Sequence, residues 1–161
     1  SYAMTGWRLG ASIGPEPIIN VIEKLNVNDE SCTNHFIQYA GIEALTGDQS
    51  GSDMIVVSLN KRQKILYKEL SKIKGLKIVN SNTTFYSFPD ITEIYIKKKF
   101  NSLEEFRLKT LKETGVSFCT REHFGRSLLG ENKKYIRFAY SGISASDIKQ
   151  GINQLRDYWS Y

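Results

Sequence analysis

The chain has 161 residues, of which 40% are hydrophobic, 24% charged and 12% aromatic, and this composition excludes intrinsic disorder. Its length predicts one domain with a substantial core, and no apolar stretch is long enough to span a membrane. Lys and Arg outnumber Asp and Glu by 22 to 17, for a net charge of +5. We interpret this charge as a mildly basic solvated surface, with an anion site or a nucleic-acid surface as alternatives. No signal-peptide pattern opens the chain, so a soluble, cytoplasmic protein is expected.

Cysteine and histidine are too scarce to predict a crosslink or a metal centre. Cys32 and Cys119 are too few and too far apart for a disulfide framework or a zinc site. His35 and His123 cannot build a metal centre without further ligands. We therefore expect reduced, buried thiols and no metal.

The spacing of apolar residues predicts three helices in the first half of the chain. Pro17 suits the first turn of the first helix, Ser31 or Thr33 could cap the second, and Gly75 stands where the third should end. The predicted ranges are 17 to 26–28, 33 to about 45, and 53 to about 74.

After Gly75 the pattern changes to short strands that alternate with helices. Ser102 and Glu105 form a capping-box sequence at the start of one helix, and Ser144 and Asp147 cap the last. The predicted strands are 76–79, 84–88, 116–119 and 135–140, and the predicted helices are 102–115 and 144–159. The alternation predicts a mixed α and β fold class.

Most other basic residues are expected on exposed surfaces. The lysine runs 97–99 and 133–134 are predicted to be exposed turns. Lys61, Arg62 and Lys64 are expected on the polar face of the long helix. His123 falls in a predicted loop over 120–134, either as a contact to a ligand or as an ordinary surface histidine.

Arg137 is unusual because it stands in the middle of an apolar strand, on one face with Tyr135 and Ala139. Burying a guanidinium without an anionic partner is costly. Either its face is exposed, or it pairs with a nearby carboxylate, or its planar fork binds the carboxylate of a ligand.

Arg8 is flanked by small residues, Gly6 and Gly10. Small neighbours would let the backbone and the guanidinium approach a phosphate together. The alternative is an ordinary arginine at a strand edge.

Four segments carry motifs in a fixed order. They are Thr5-Gly6-Trp7-Arg8-Leu9-Gly10, the helix over 34–45 with Gln38 and Ala44, the strand Thr84-Phe85-Tyr86-Ser87-Phe88-Pro89, and Phe124-Gly125 followed by Tyr135-Ile136-Arg137-Phe138-Ala139-Tyr140-Ser141. Together they resemble the corresponding motifs of the pyridoxal-phosphate aminotransferases of fold type I, the aspartate aminotransferase superfamily of classes I and II. The resemblance covers nearly the whole chain.

The resemblance implies a fold, a reaction and two anion-binding arginines. Residues 1–30 would be the tail of the cofactor-binding large domain, 31–74 interdomain helices, and 75–161 the small α+β domain. The reaction would transfer an amino group between an amino acid, aspartate among the candidates, and a 2-oxo acid, with pyridoxal 5'-phosphate as cofactor. By motif match, Arg8 would bind the cofactor phosphate and Arg137 the substrate α-carboxylate. A homodimer is also implied.

The resemblance further implies that the Schiff-base lysine immediately precedes the residue aligned with Ser1. On this expectation the chain holds no catalytic residue, lacks the large-domain segment and is inactive by itself. Two departures bear on substrate identity: Thr83-Thr84 stands in place of Gly-Ala, and Thr120-Arg121 in place of Pro-Gly. The roles of Arg121 and His123 stay open.

Two functions of other classes compete with this interpretation. A small basic nucleic-acid-binding module would interleave aromatic residues with Lys and Arg on one strand face, whereas the strand aromatics here lie in apolar runs. A non-enzymatic interaction domain is the other alternative. We expect neither nucleic acid nor membrane as a partner.

The apolar residues of 1–30 are expected to be less buried in this chain than their character indicates. On the family interpretation they belong to a domain whose sheet is absent, so another copy or the large domain would cover them. The residues concerned are Ile13, Ile18, Ile19, Ile22 and Leu25.

Overall fold

Six α-helices and a three-stranded antiparallel sheet make up residues 1–160, which the computed structural model describes. The helices are α1 (Glu16–Asp29), α2 (His35–Thr46), α3 (Ser50–Leu70), α4 (Thr92–Lys98), α5 (Leu103–Thr114) and α6 (Ala145–Trp159). The strands are β1 (Tyr86–Ser87), β2 (Cys119–Thr120) and β3 (Ile136–Ala139), and two 3₁₀ turns span Thr5–Trp7 and Arg121–Phe124. The predicted mixed α and β class is confirmed. Within residues 1–160, no helix has the length and apolar character needed to cross a membrane.

The chain divides into two compact units, Ser1–Val57 and a second that begins at Ser58. In the first unit, α2 is capped by Asn34, whose side chain accepts a backbone N–H of the first turn at 3.3 Å. The prediction of Ser31 or Thr33 as the cap is wrong. Ser31 has a φ of +62° and its N–H donates to the carbonyl of Asn26 at 2.7 Å, so it belongs to the turn that ends α1.

Most apolar side chains of the first unit are exposed. Gly41 is the one buried residue within 1–57, and a Cβ at that position would overlap the side chain of Leu9. Of the residues expected to be poorly buried, Ile13 is 97% exposed. The others divide into exposed Ile18 and Leu25 and half-buried Ile19 and Ile22. The expectation of low burial is confirmed for this stretch.

The core of the second unit lies between the sheet and the helices α5 and α6. Strand β3 is central, with β1 and β2 antiparallel on either side. Phe106 of α5 is fully buried, stacks on Trp159 of α6 with ring centroids 5.5 Å apart, and lies 6.0 Å from Phe118. Ile136 and Phe138 of β3 belong to the same cluster. Because side chains alternate along a strand, the residue between them faces away from this core.

The predicted N-terminal caps of α5 and α6 are confirmed. Ser102 accepts the N–H of Glu105, and Ser144 accepts the N–H of Asp147, each at 3.1 Å. The Glu105 carboxylate does not complete the capping box on Ser102, since it accepts the N–H of Asn101 instead, also at 3.1 Å. That hydrogen bond lowers the pKa of Glu105.

Several predicted boundaries are wrong. Helix α3 ends at Leu70 because the next residues close into tighter i→i+3 turns before Gly75. Of the predicted strand 76–79, Lys77 forms an isolated bridge to Asp90. The strand predicted over 84–88 is reduced to Tyr86–Ser87, since a φ of +63° at Thr84 is not extended backbone.

The expectation that both cysteine thiols are buried is wrong, because Cys32 is exposed and Cys119 is half-buried.

Helix α4 was not predicted, and it changes the role of one lysine run. The Asp90 carboxylate accepts the N–H of Thr92 at 2.9 Å, which begins the helix. Lys98 lies in its last turn, half-buried, and its ammonium donates to the carbonyls of Tyr158 at 2.6 Å and Ser160 at 3.2 Å. An exposed turn is therefore wrong for Lys98, since it stabilises the carbonyl end of α6.

Replacing Ser102 with alanine is expected to destabilise the protein by about 1 kcal/mol, because the N–H of Glu105 loses its acceptor. The measurement is the midpoint of urea unfolding of the intact protein. Ser127→Ala, at an exposed loop serine, is the matched control. Equal midpoints for the two variants would contradict the capping role.

Candidate functional site

Arg137 lies on the central strand of the sheet, on the face opposite the core. It is half-buried, and in the antiparallel register it stands opposite Cys119 of β2. Its neighbours Ile136 and Phe138 are buried in the core cluster. The alternation of β3 therefore projects this one cation out of an otherwise apolar strand.

Two aromatic rings enclose the Arg137 guanidinium. Its central carbon lies 4.2 Å from the ring centroid of Tyr86 and 4.2 Å from that of Phe124. Each ring face attracts the cation. A guanidinium stacked on a ring keeps its N–H donors, which lie in its own plane, available to other partners.

The donors of Arg137 have no hydrogen-bond or ion-pair partner within residues 1–160. The structure therefore provides no carboxylate partner in this part of the chain, which was one of the three alternatives. A planar fork with unused N–H groups, held between two rings, fits a carboxylate bound edge-on through two parallel hydrogen bonds. This arrangement can orient one carboxylate in one plane.

The Tyr86 ring is placed by the sheet and by a tyrosine hydroxyl. Tyr86 pairs with Ala139 in the β1–β3 register. Just before it, the carbonyl of Thr84 accepts the hydroxyl hydrogen of Tyr140 at 2.9 Å, and that hydroxyl accepts from Gln63 at 3.2 Å. Burial raises the pKa of Tyr140. Tyr86 was not predicted as a contact of the arginine, although the Phe-Tyr-x-Phe-Pro motif that contains it was a signal.

The Phe124 ring belongs to a group of partly exposed aromatic side chains. Phe88 lies edge-on to Phe124, with ring centroids 6.4 Å apart, and stacks on Tyr135 at 5.3 Å. Phe88 and Phe124 are each 45% exposed. A carboxylate at Arg137 would therefore bind beside an apolar aromatic surface that excludes water from the guanidinium faces.

The 3₁₀ turn that ends at Phe124 is closed by His123. Its Nδ1 accepts the N–H of buried Thr120 at 3.2 Å and lies 2.8 Å from the Thr120 hydroxyl. This gives His123 a structural role that neither alternative from the sequence included. Arg121, whose role was open, forms an ion pair with Glu131 at 3.0 Å.

Arg8 lies in the first unit, just after the 3₁₀ turn Thr5–Trp7. Its backbone has a φ of +54°, and its guanidinium makes one long hydrogen bond, 3.5 Å, to the carbonyl of Thr5. It has no ion-pair partner among the described residues. Open space stands where a Cβ would extend from Gly6 or Gly10, so an anion could approach the backbone on either side of the arginine.

A pocket of about 460 Å³ adjoins Arg8, formed within the first unit. Its lining residues include Ser31, Thr33 and Asn34, whose side chains can donate hydrogen bonds, together with the acidic residue Glu30. Hydroxyl and amide donors suit a phosphate, whereas the Glu30 charge opposes one. No group of three or more acidic, histidine or cysteine side chains that could hold a metal ion occurs in residues 1–160. Arg8 and Arg137 thus belong to different units, each with unused donors.

Both arginines lie within the range of the chain that matches a known family. The sequence profile of the family described as aminotransferase class I and II matches residues 1–155. The chain is 33% identical over 158 residues to an aspartate aminotransferase of Sulfurisphaera tokodaii, covering 98% of this chain and 38% of that protein. It is 31% identical to an asparagine–oxo-acid transaminase of Streptococcus mutans, with the same coverage.

The fold also matches solved structures. An aromatic aminotransferase from Pyrococcus horikoshii superposes with a TM-score of 0.79 at 27% identity, over 97% of this chain and 39% of that one. The chain therefore spans somewhat more than a third of the length of the relatives that it matches.

Proposed function

The chain belongs to the class I and II aminotransferase family, and from this premise we propose that the intact protein transfers an amino group from an amino acid to a 2-oxo acid. Aspartate is the first donor to test, because two relatives that are 33% and 30% identical to this chain are named aspartate aminotransferases. The observation that carries the proposal is the Arg137 guanidinium, enclosed by Tyr86 and Phe124 with its donor edge unused.

Arg137 is proposed to bind the α-carboxylate that amino acids and 2-oxo acids share. Two parallel N–H···O bonds would fix the plane of that carboxylate, and so the direction of the α-carbon. The two rings would exclude water from the faces of the guanidinium, which strengthens the charge pair. Both the donor and the acceptor substrate would use this contact.

Pyridoxal 5'-phosphate is the proposed cofactor, and the surroundings of Arg8 fit its phosphate. The fit rests on the open backbone beside Gly6 and Gly10 and on the hydroxyls of the adjoining pocket. When bound, the cofactor supplies the electron sink that such amino transfer needs. Arg8 would hold and orient it through a charge-assisted contact to the phosphate.

The proposed organisation follows the resemblance. Residues 1–30 are proposed to belong to the large domain, 31–74 to the interdomain helices and 75–161 to the small domain. The lysine that moves the proton at the α-carbon is proposed to lie in the part of the large domain that residues 1–161 do not include, so the 161-residue chain would be inactive by itself. A homodimer is proposed because the first unit leaves apolar side chains such as Ile13 and Leu45 exposed.

The decisive experiment incubates the intact protein and pyridoxal 5'-phosphate with single L-amino acids, aspartate included, and 2-oxoglutarate. Formation of glutamate with any donor is expected, and it should depend on added cofactor after prolonged dialysis. The isolated 161-residue chain, assayed alongside, is expected to form none. Absence of glutamate with every other proteinogenic donor, together with absence of alanine when pyruvate replaces 2-oxoglutarate, would refute the proposal.

A further inference from the structure

The loop between Arg121 and Glu131 carries Phe124, one of the two rings that enclose Arg137. Two contacts join the ends of this loop: Arg121 Nε to Glu131 Oε1 at 3.0 Å, and Arg121 Nη2 to Glu131 Oε2 at 3.2 Å. The two side chains are only 19% and 15% exposed. A two-point contact between planar groups fixes orientation as well as distance, and charges this well buried need their partner.

The same ion pair also holds the backbone immediately after the ring. Arg121 donates to the carbonyls of Gly125 at 3.1 Å and Arg126 at 3.2 Å, and Glu131 accepts the N–H of Leu128 at 2.8 Å. Gly125 follows Phe124 directly and has a φ of +120°, a conformation open to glycine alone among common residues. Without these bonds the chain direction at Gly125 would be free to change.

Beyond Phe124, apolar packing does not hold this loop in place. Every residue from 122 to 130 is exposed, and the tip carries Leu128 and Leu129 with 72% and fully exposed side chains. Loops with few buried contacts open easily unless polar bonds restrain them. The Arg121–Glu131 ion pair is therefore the main restraint on the segment that follows Phe124.

We propose that Arg121, paired with Glu131, is a positioning residue that holds Phe124 against Arg137 and so sets the affinity for the substrate carboxylate. This inference rests on the proposed carboxylate-binding role of Arg137. If the pair is broken, the ring moves off one face of the guanidinium, and the fork is no longer confined to a single plane. Carboxylate binding weakens in the ground state and in the transition state alike.

The consequence is a specific kinetic pattern. Loss of binding shared by the ground state and the transition state raises KM and leaves kcat nearly unchanged. A purely structural role of Arg121 would lower the melting temperature without this separation of KM from kcat.

The test uses the intact, cofactor-loaded protein and the variants Arg121→Ala, Glu131→Ala and the double variant. We expect each single variant to raise the KM for L-aspartate about tenfold, with kcat within about twofold, and the double variant to add little because both remove one interaction. Hydrogen exchange in residues 125–131 should accelerate in all three. Lys72→Ala, which removes an ion pair to buried Glu69 at the end of α3, is the matched control and should leave KM unchanged.

A second measurement separates this inference from the proposed function. Succinate, which has no amino group, is titrated calorimetrically into the parent, Arg121→Ala and the milder Glu131→Gln, which keeps an oxygen acceptor should Arg121→Ala fail to fold. About tenfold weaker binding in Arg121→Ala and a smaller loss in Glu131→Gln support the inference, even if the parent transfers no amino group and the proposed function fails. Unchanged succinate affinity and KM in the folded variants would overturn it, whatever the exchange rates show.

Discussion

Arg137→Ala in the intact protein is expected to lower kcat/KM for the amino-acid donor roughly 150-fold or more. This factor corresponds to a loss of about 3 kcal/mol of transition-state stabilisation. The variant removes the guanidinium that lies over two rings, Tyr86 and Phe124, whose centroids are each 4.2 Å from the guanidinium carbon. The carboxylate of the substrate would then lose both a charge and two directed hydrogen bonds. The measurement is steady-state kinetics with L-aspartate or another active donor.

Two further variants show whether geometry or charge matters at this position. Arg137→Lys keeps the charge but not the planar fork, so an intermediate loss is expected. Arg156→Ala removes an arginine of α6 whose ion-pair partner is Asp157, and it should leave kcat/KM unchanged. If Arg137→Ala retains the parent's kcat/KM, Arg137 does not bind the substrate carboxylate.

The arginine and its strand could be predicted from the sequence, but the rings around it could not. Alternation along 135–140 placed Arg137 on one face with Tyr135 and Ala139, opposite the face of Ile136 and Phe138. Its enclosure depends on the register that puts Tyr86 beside β3 and on the 3₁₀ turn that presents Phe124. Both are long-range or irregular features, and neither has a signal in hydrophobic periodicity.

The helices show the same division between local and long-range information. α5 and α6 were predicted closely because a serine cap and an apolar stripe are local signals. α4 was missed because its seven residues are too short for a clear period. Asp90, whose carboxylate accepts the N–H of Thr92 at the start of this helix, is a residue type equally typical of turns.

The roles of His123 and Arg121 could be assigned only from the structure. His123 closes its own turn through Thr120, and Arg121 reaches Glu131 across an exposed loop. An ion pair between two residues of a loop has no fixed spacing. Sequence alone could therefore not assign it.

Arg8→Ala is expected to weaken binding of pyridoxal 5'-phosphate about tenfold to a hundredfold, the range for one lost hydrogen bond to a charged group. Arg8 has a single long bond to its own turn and an adjoining pocket with hydroxyl donors, so its remaining donors are available to a phosphate. The measurement is the absorbance of cofactor retained by the intact protein after dialysis against graded cofactor concentrations. Pyridoxal, which lacks the phosphate, is the control ligand and should bind the parent and the variant equally.

Glu30→Gln should retain the cofactor at least as well as the parent, because it removes a negative charge from the same pocket. Equal retention of pyridoxal 5'-phosphate by Arg8→Ala and the parent would leave Arg8 as a structural residue of the turn.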